Sequence, residues 1–466
     1  MPRLLFVDLL KNISDQHGVY SIIACLKKQG FEVGFIAGNH VERLCKQITN
    51  YNPDLLLYSA CSADVLKYIE FDRLAKQHHD CKSIIGGPGP TYDWACIQNS
   101  TIDAACVGDG ETALPAFIDN GYRSVPSIFM RNEDGPPSFA HFADLDSLPM
   151  PDRSLVYAAN PILKERPCKQ FISGRGCPFH CTYCFNHQFN SMFKGYGPVI
   201  RKRSVDHLFD EINHVRTKYG LKGLAFSDDT FIIDKKWFAE FCERFPREIG
   251  LPYSCSVRSN LMDENIARML KESGCAGVMW SIETADEALR NQVLMRGISK
   301  EQIRMTSYWL GKHKVPFRIG NMIGLPGESI EQMFATVRMN IEAKPDLAYA
   351  TIFVPYPSMQ ITRYAVDHGY YDTTEPLPKD LFTSSPLNYS AEEKQIIRKL
   401  LCWFPMFVRF PILFSNTFLR QICLSAPFRI MKMVFNVYFA LVLSRLYAAR
   451  GSLLFNIKMA IRFFFD

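Results

Sequence analysis

Cys177, Cys181 and Cys184 stand in the stretch Cys177-Pro-Phe-His-Cys181-Thr-Tyr-Cys184, with three and then two residues between them. A loop of that spacing can wrap one corner of a cubane cluster and present three thiolates to three irons, and thiolates are the usual protein ligands of iron–sulfur clusters. Three ligands leave the fourth iron open to a small molecule. Electron-carrying ferredoxin sites use four cysteines, so a three-cysteine site points to chemistry at the open iron. Zinc is the competing ion. It prefers four ligands, usually as two separated pairs, and no second pair stands near this one.

The same stretch, CxxxCxxC with an aromatic residue (Tyr183) just before the last cysteine, resembles the signature of radical S-adenosylmethionine (SAM) enzymes. The resemblance implies a 4Fe–4S cluster on Cys177, Cys181 and Cys184, its open iron chelating the amino and carboxylate groups of SAM, with Tyr183 beside the cofactor. It further implies an external electron donor of flavodoxin or ferredoxin type. The reduced cluster then cleaves SAM to methionine and a 5′-deoxyadenosyl radical.

Such a loop must be held by strand ends. Between 165 and 375 six strands are predicted: Gln170–Ser173 leading into the cysteines, then Gly223–Ser227, Tyr253–Val257, Gly277–Ile282, Phe317–Met322 and Leu347–Val354. Helices between them, among them Val205–Tyr219, Lys236–Phe245, Asp263–Ser273, Asp286–Val293, Lys300–Lys312 and Ser329–Ala343, make an incomplete TIM-type barrel, whose sites lie at the carboxyl ends of the strands. Polar and glycine-rich groups fall there. Asp228 and Asp229 follow the second strand, where a carboxylate can accept from an ammonium and where Asp also serves as a helix cap. Arg258 follows the third, and a guanidinium suits a carboxylate bidentately. Glu283 ends the fourth, and an ion pair between Arg258 and Glu283 is the structural alternative. By resemblance the acids contact SAM, Glu283 lies in a "GxES"-like segment with Ser281 in place of glycine, and Gly320, Met322 and Gly324 lie in the GxIxGxxE-type segment that stacks the adenine. Val354-Pro-Tyr-Pro357 resembles a "PxPGT" turn, with Ser358 and Met359 replacing its last two residues.

The first 145 residues alternate strands (Leu4–Val7, Phe31–Ile36, Leu55–Tyr58, Ser83–Ile85, Ala104–Val107) with helices (around Tyr20–Lys28 and Leu66–Gln77, and from Thr112). That alternation predicts a doubly wound parallel sheet binding its ligand beyond the carboxyl ends of the strands. Glycines fall at those ends, where they permit close approach or merely make turns. The runs Ile-Ile-Gly-Gly-Pro-Gly-Pro-Thr and Val-Gly-Asp-Gly-Glu resemble loops of cobalamin-binding domains that precede radical SAM cores, which implies cobalamin at Ser59, Ser62, Gly87, Pro88, Thr91, Gly108 and Gly110. The histidine that ligates cobalt in many cobalamin proteins has no clear counterpart; His17 reads as a loop residue. Asp144-Leu-Asp-Ser-Leu-Pro149-Met-Pro151-Asp-Arg153 resembles the connector of the same subfamily, and its prolines interrupt both helix and strand.

The chain of 466 residues has room for two or three domains. The net charge is +6, but the tail after Leu401 holds eight bases against the single acid Asp466, so the rest sums to −1 and gives no nucleic-acid footprint. Fifteen cysteines, an odd number spread over a long chain whose N-terminus reads directly as a strand, fit a reducing cytoplasm better than a disulfide scaffold. The tail mixes aromatics (Trp403, Phe404, Phe407, Phe410, Phe414, Phe418, Phe463–Phe465) with lone bases, and its longest uncharged run, Met433–Ser444, is too short to span a bilayer. It reads as a helical cap, or as a face lying in a membrane surface.

The expectation is therefore an α/β chain: a Rossmann-like cobalamin-binding domain (1–145), a linker (146–164), a partial (β/α)6 barrel forming the radical SAM core (165–375), and a helical, basic C-terminal region (376–466). The expected reaction is cobalamin-dependent methylation of an unactivated carbon, or of phosphorus, in a small natural product or lipid. The alternatives are a radical cyclase, oxidase or rearrangement enzyme without methyl transfer, and a non-catalytic cobalamin or iron–sulfur protein.

Overall fold

The computed structural model describes residues 1–10, 14–133, 138–374 and 384–446. The bases Arg450, Lys458 and Arg462 and the run Phe463–Phe465 lie outside them. The chain divides into two compact units. One comprises Met1–Gly174 with Phe189–Gly220, the other Arg175–Gln188 with the chain from Leu221 onward.

The first unit is built on strands β1 (Arg3–Asp8), β2 (Glu32–Ala37), β3 (Leu55–Ser59), β4 (Lys82–Gly86), β5 (Ala104–Cys106) and β6 (Ile128–Met130), in the order β2-β1-β3-β4-β5-β6. The first five are parallel, with Leu4 opposite both Val33 and Leu55; β6 pairs antiparallel with β5. Helices cover both faces, so the strands carry near-continuous apolar runs. Leu4, Phe6, Leu55 and Leu57 pack into one layer, and their neighbours Leu5, Val7, Leu56 and Tyr58 into the other. Among the elements not expected are the helix Val41–Tyr51 and the antiparallel β6. His17 opens the helix His17–Lys28 and is not a loop residue.

A buried ionic cluster fastens this unit together. Arg153, from the proline-rich connector, donates to Asp15 at 3.0 Å and to Glu211 at 2.8 Å. Glu211 lies on the helix Val205–Tyr219 and also accepts from Arg203 at 2.5 Å. Strand β7 (Cys168–Phe171) leads toward the cysteines; two-residue strands β8 (Gly174–Arg175) and β9 (Arg201–Lys202) follow.

The second unit carries β10 (Gly223–Phe226), β11 (Tyr253–Ser256), β12 (Cys275–Glu283), β13 (Phe317–Ile323) and β14 (Leu347–Ile352), adjacent in that order and parallel. The expected barrel strands therefore all form, within two residues of their predicted ends. The helices after them are started by side chains that accept from their first backbone N–H groups: Asp234, Asp263, and the capping boxes Ser299–Gln302 and Ser329–Gln332. One expected helix differs. Residues Leu289–Val293 form a π-helical turn, a feature that often marks functional sites. The helix Ala391–Arg409 lays Ile397, Leu400, Leu401, Phe404, Phe407 and Val408 against Ala348, Ala350 and Ile352 of β14, capping the sheet. Among the described residues no helix is long and apolar enough to cross a membrane.

Candidate active site

The cysteine loop is tied down at its centre. Thr182 donates its backbone N–H to the carbonyl of Leu294 at 3.2 Å and its hydroxyl to that of Val293 at 2.7 Å, and its own carbonyl accepts from Ile361 at 3.3 Å. Cys184 closes a turn onto the carbonyl of Cys181 at 3.0 Å. Cys181 is buried, while Cys177 and Cys184 are half-buried. Burial pushes the Cys184 thiol up to about 11, with the neighbouring thiols of Cys181 and Cys177 and the carboxylate of Asp229 adding to the effect. Burial raises Cys177 too, and Asp229 adds to it while Arg258 opposes it. Cys177 and Cys184 thus hold their protons until a metal supplies positive charge, which inverts the balance. Among the described residues no three His, Cys, Asp or Glu side chains converge as a single-ion site. The fit to a cluster rests on thiol chemistry, burial and mutual proximity.

The strand ends surround this loop with polar groups. Asp229, after β10, accepts from the side chain of Asn186 and the backbone of Gly176, and burial raises its pKa. Asp228 beside it is buried. Arg258, beyond the end of β11, donates to the sulfur of Cys181 at 3.4 Å and to the carbonyl of Arg296, with its guanidinium carbon 3.9 Å from the centre of the Phe179 ring. Glu283 ends β12 in the left-handed region (φ 67°), a strained conformation for a residue with a side chain. It accepts from Arg296 at 2.7 Å and from the Tyr183 hydroxyl at 2.9 Å. Arg296 also donates to the Tyr183 hydroxyl and, at 2.8 Å, to the carbonyl of Ser281.

The ion pair weighed for Arg258 and Glu283 is therefore not the one that forms. Glu283 takes Arg296, and Arg258 takes the cysteine loop. The sequence reading missed Arg296. The π-helical turn and the left-handed Met295 (φ 49°) return the chain to the end of β12, and neither follows from residue periodicity. Both cations are buried, as is Glu283.

On β13, Gly320 pairs with Ser281 across the ladder, and a Cβ there would come 3.1 Å from the Ser281 hydroxyl. Gly324 adopts φ +72° just beyond the strand. Met322 packs on the same apolar cluster as Tyr183 and Tyr356. Glu328 is buried, accepts from the backbone of Leu325 at 3.1 Å and the hydroxyl of Thr284 at 3.0 Å, and is pushed by burial up to about 8. In the turn after β14, Ser358 holds φ 68°, the conformation that explains why a glycine suits that position in the resembling turn.

In the first unit the adjacent order of β3, β4 and β5 lines up the loops that follow them. The order 2-1-3-4-5 is that of a doubly wound sheet whose ligand crevice opens beside β1 and β3. Thr91 joins two loops: its hydroxyl donates to the carbonyl of Gly87 at 2.8 Å and accepts from the N–H of Gly108 at 3.1 Å. Gly87 (φ +97°) lies so close to the previous loop that a Cβ would meet the Ala60 carbonyl at 2.9 Å and the Ser59 hydroxyl at 3.1 Å. Gly108 (φ +85°) lies against the Phe193 ring. These glycines thus serve loop-to-loop packing. Pro88 opens the short helix Pro88–Tyr92 and Gly110 the helix Gly110–Asp119. Ser62 lies exposed beyond them, outside the bonds that join the other loop residues.

Residues 171–339 match the model of the radical SAM superfamily, and residues 5–118 match that of the B12 binding domain. The chain is a cobalamin-binding radical SAM enzyme. Its cofactors are a 4Fe–4S cluster, SAM and cobalamin. The enzyme is 26% identical over 377 residues to an uncharacterized methyltransferase of Pyrococcus horikoshii, covering 74% of this chain and 78% of that one. It is 24% identical over 444 residues to the cytidylyl-2-hydroxyethylphosphonate methyltransferase of Streptomyces wedmorensis, covering 80% and 81%. The structure of the radical SAM methyltransferase TsrM from Kitasatospora setae, with cobalamin and a 4Fe–4S cluster bound, superimposes with a TM-score of 0.65 at 17% identity, covering 84% of each chain. At that identity the likeness is one of fold.

Proposed function

We propose that this radical SAM enzyme methylates an unactivated carbon, or phosphorus, of a small natural product or lipid. The observation that carries the reading is the coupling of the three-thiol loop, through Tyr183, Glu283 and Arg296, to the end of β12 in a chain that also holds a B12 binding domain. Bound here, the cluster and SAM supply radical chemistry and cobalamin supplies methyl transfer. The protein's own residues have narrower roles. Cys177, Cys181 and Cys184 hold three irons. Asp228, Asp229 and Glu283 present carboxylates where an ammonium group can be received, and the edge of β13 from Gly320 through Met322 to Gly324 offers backbone groups to a base. In the first unit the loops at Ser59–Ser62, Gly87–Thr91 and Gly108–Gly110 hold the corrin.

A flavodoxin- or ferredoxin-type protein would be the external electron donor in this reading. All fifteen cysteines are free, which suits a reducing cytoplasm. Peripheral membrane contact through the C-terminal helices is part of the same proposal for a lipid substrate. Phe410, Ile412, Phe418, Ile422, Met433 and Val437 are exposed there, and no acid lies between Glu393 and Asp466. Flotation with anionic liposomes tests the contact, and a protein that never co-floats removes it.

Methyl-labelled SAM tests the reaction. Label must enter the product when reconstituted enzyme is incubated with candidate metabolites under reduction. Product formed without label would establish a cyclase or rearrangement enzyme instead.

A further inference from the structure

We propose that Arg258 is a positioning residue for the iron–sulfur cluster, gripping its cysteine loop and setting its reduction potential, and does not bind the SAM carboxylate. The inference rests on the cluster assignment made above.

The guanidinium touches the loop at two places. One terminal nitrogen donates to the sulfur of Cys181 at 3.4 Å, and the plane lies over the ring of Phe179, 3.9 Å from its centre. The other terminal nitrogen donates to the carbonyl of Arg296. Arg296 is itself fixed by Glu283 at 2.7 Å and by the carbonyl of Ser281 at 2.8 Å. Arg258 is thus held at three points. Its charge also faces Cys177. The cation therefore addresses two of the three ligands, including Cys181, the one that is fully buried.

This geometry argues against a carboxylate clamp. A bidentate grip uses two adjacent N–H groups of the fork. Each terminal nitrogen of the buried Arg258 already spends one N–H on the protein itself, on the Cys181 sulfur and on the Arg296 carbonyl, and one face of the guanidinium is covered by Phe179, so the fork is aimed into the cysteine loop.

Its effect on the cluster has a definite sign. A cubane held by three thiolates gains one negative charge when it takes an electron. A buried cation and an N–H···S hydrogen bond stabilise that added charge, and both are recognised determinants of cluster potential. Losing them moves the potential to more negative values.

The test uses full-length protein, reconstituted anaerobically with iron and sulfide, as wild type, Arg258→Lys and Arg258→Met. Iron and sulfide per chain are measured first, then the midpoint potential by EPR-monitored titration, then the SAM concentration that half-changes the EPR signal. The expected result is full cluster content, a midpoint moved to lower potential in Arg258→Met and by a smaller amount in Arg258→Lys, and a half-change SAM concentration within threefold of wild type. Lysine keeps the charge but not the fork or the stacking, so its shift separates the two contributions. Unshifted potentials in variants that hold the cluster overturn the proposal. A half-change concentration raised tenfold or more, at unshifted potential, returns Arg258 to the SAM carboxylate. If Arg258→Met assembles no cluster, the potential of Arg258→Lys decides. A wild-type protein that binds no cluster overturns the underlying assignment instead.

Discussion

Replacing Arg153 by methionine should unfasten the first unit by an amount that can be worked from its contacts. The arginine and its two carboxylates are almost wholly buried, with side-chain exposures of 1% for Arg153, 1% for Asp15 and 2% for Glu211. Removing one partner of such a buried set costs about 3–5 kcal/mol, because the remaining charge stays desolvated. The lower end applies here. Glu211 keeps Arg203, and Asp15 keeps the hydroxyls of Tyr20 and Tyr157 and the N–H of Gln170. For a unit of roughly 200 residues, about 3 kcal/mol lowers the melting temperature by roughly 6–12 °C. The pH dependence is a sharper test. Burial alone would raise Asp15 and Glu211, but Arg153, and for Glu211 also Arg203, outweigh it and hold both carboxyls below the usual range. A depressed acid contributes its stability above the unfolded-state pKa of about 4 and loses it as pH falls through the folded value. Wild type should therefore lose more on acidification than Arg153→Met, and the gap between their melting temperatures should narrow from pH 7 to pH 4. Differential scanning calorimetry of the full chain measures it. A drop below about 2 °C at pH 7, or a gap that stays constant with pH, would refute the reasoning.

The same logic yields further expectations. Glu328→Gln should melt close to wild type at pH 5 and increasingly above it toward pH 8. The folded wild type keeps Glu328 protonated up to about pH 8, whereas the unfolded chain ionises it near 4.5, so wild-type stability falls as pH rises across that range; a flat difference contradicts this. Arg296→Met leaves Glu283 buried without its cation and should cost the second unit about 3–5 kcal/mol, while Arg296→Lys recovers part of the loss in the same melt. Gly87→Ala forces a Cβ against the Ala60 carbonyl at a positive φ and should cost about 1–3 kcal/mol. It should also reduce the cobalamin retained per chain, read from corrin absorbance after gel filtration; unchanged retention would separate that loop from the corrin.

The sequence was most legible where chemistry and periodicity coincide. The cysteine spacing marked the loop around which the strand-end polar groups gather, and apolar runs such as Leu55–Tyr58 and Ala104–Val107 marked strands that lie buried between two helical layers. The predicted helix starts at Asp263 and Lys300 fall within a residue of the observed ones. Less legible was whatever depends on the chain doubling back. Arg296 reaches Glu283 only through a π-helical turn and a left-handed Met295, and no spacing rule connects residue 283 to residue 296. Arg153 was visible as part of a connector motif, but its partners are 138 and 58 residues away. Gly87 and Gly320 were read as room for a cofactor, whereas their nearest neighbours are the protein's own Ala60 carbonyl and Ser281 hydroxyl. The short antiparallel β6 carried too few residues to show a period.

The claim on which the account turns is that Cys177, Cys181 and Cys184 hold a cluster whose open iron meets SAM. Iron, acid-labile sulfide and the EPR spectrum of the dithionite-reduced, reconstituted protein test it directly, with and without SAM. The account predicts about four irons and four sulfides per chain, a reduced-cluster signal that changes when SAM is added, and loss of all three in Cys177→Ala, Cys181→Ala and Cys184→Ala. Iron content that survives those substitutions, or a cluster signal indifferent to SAM, would contradict it.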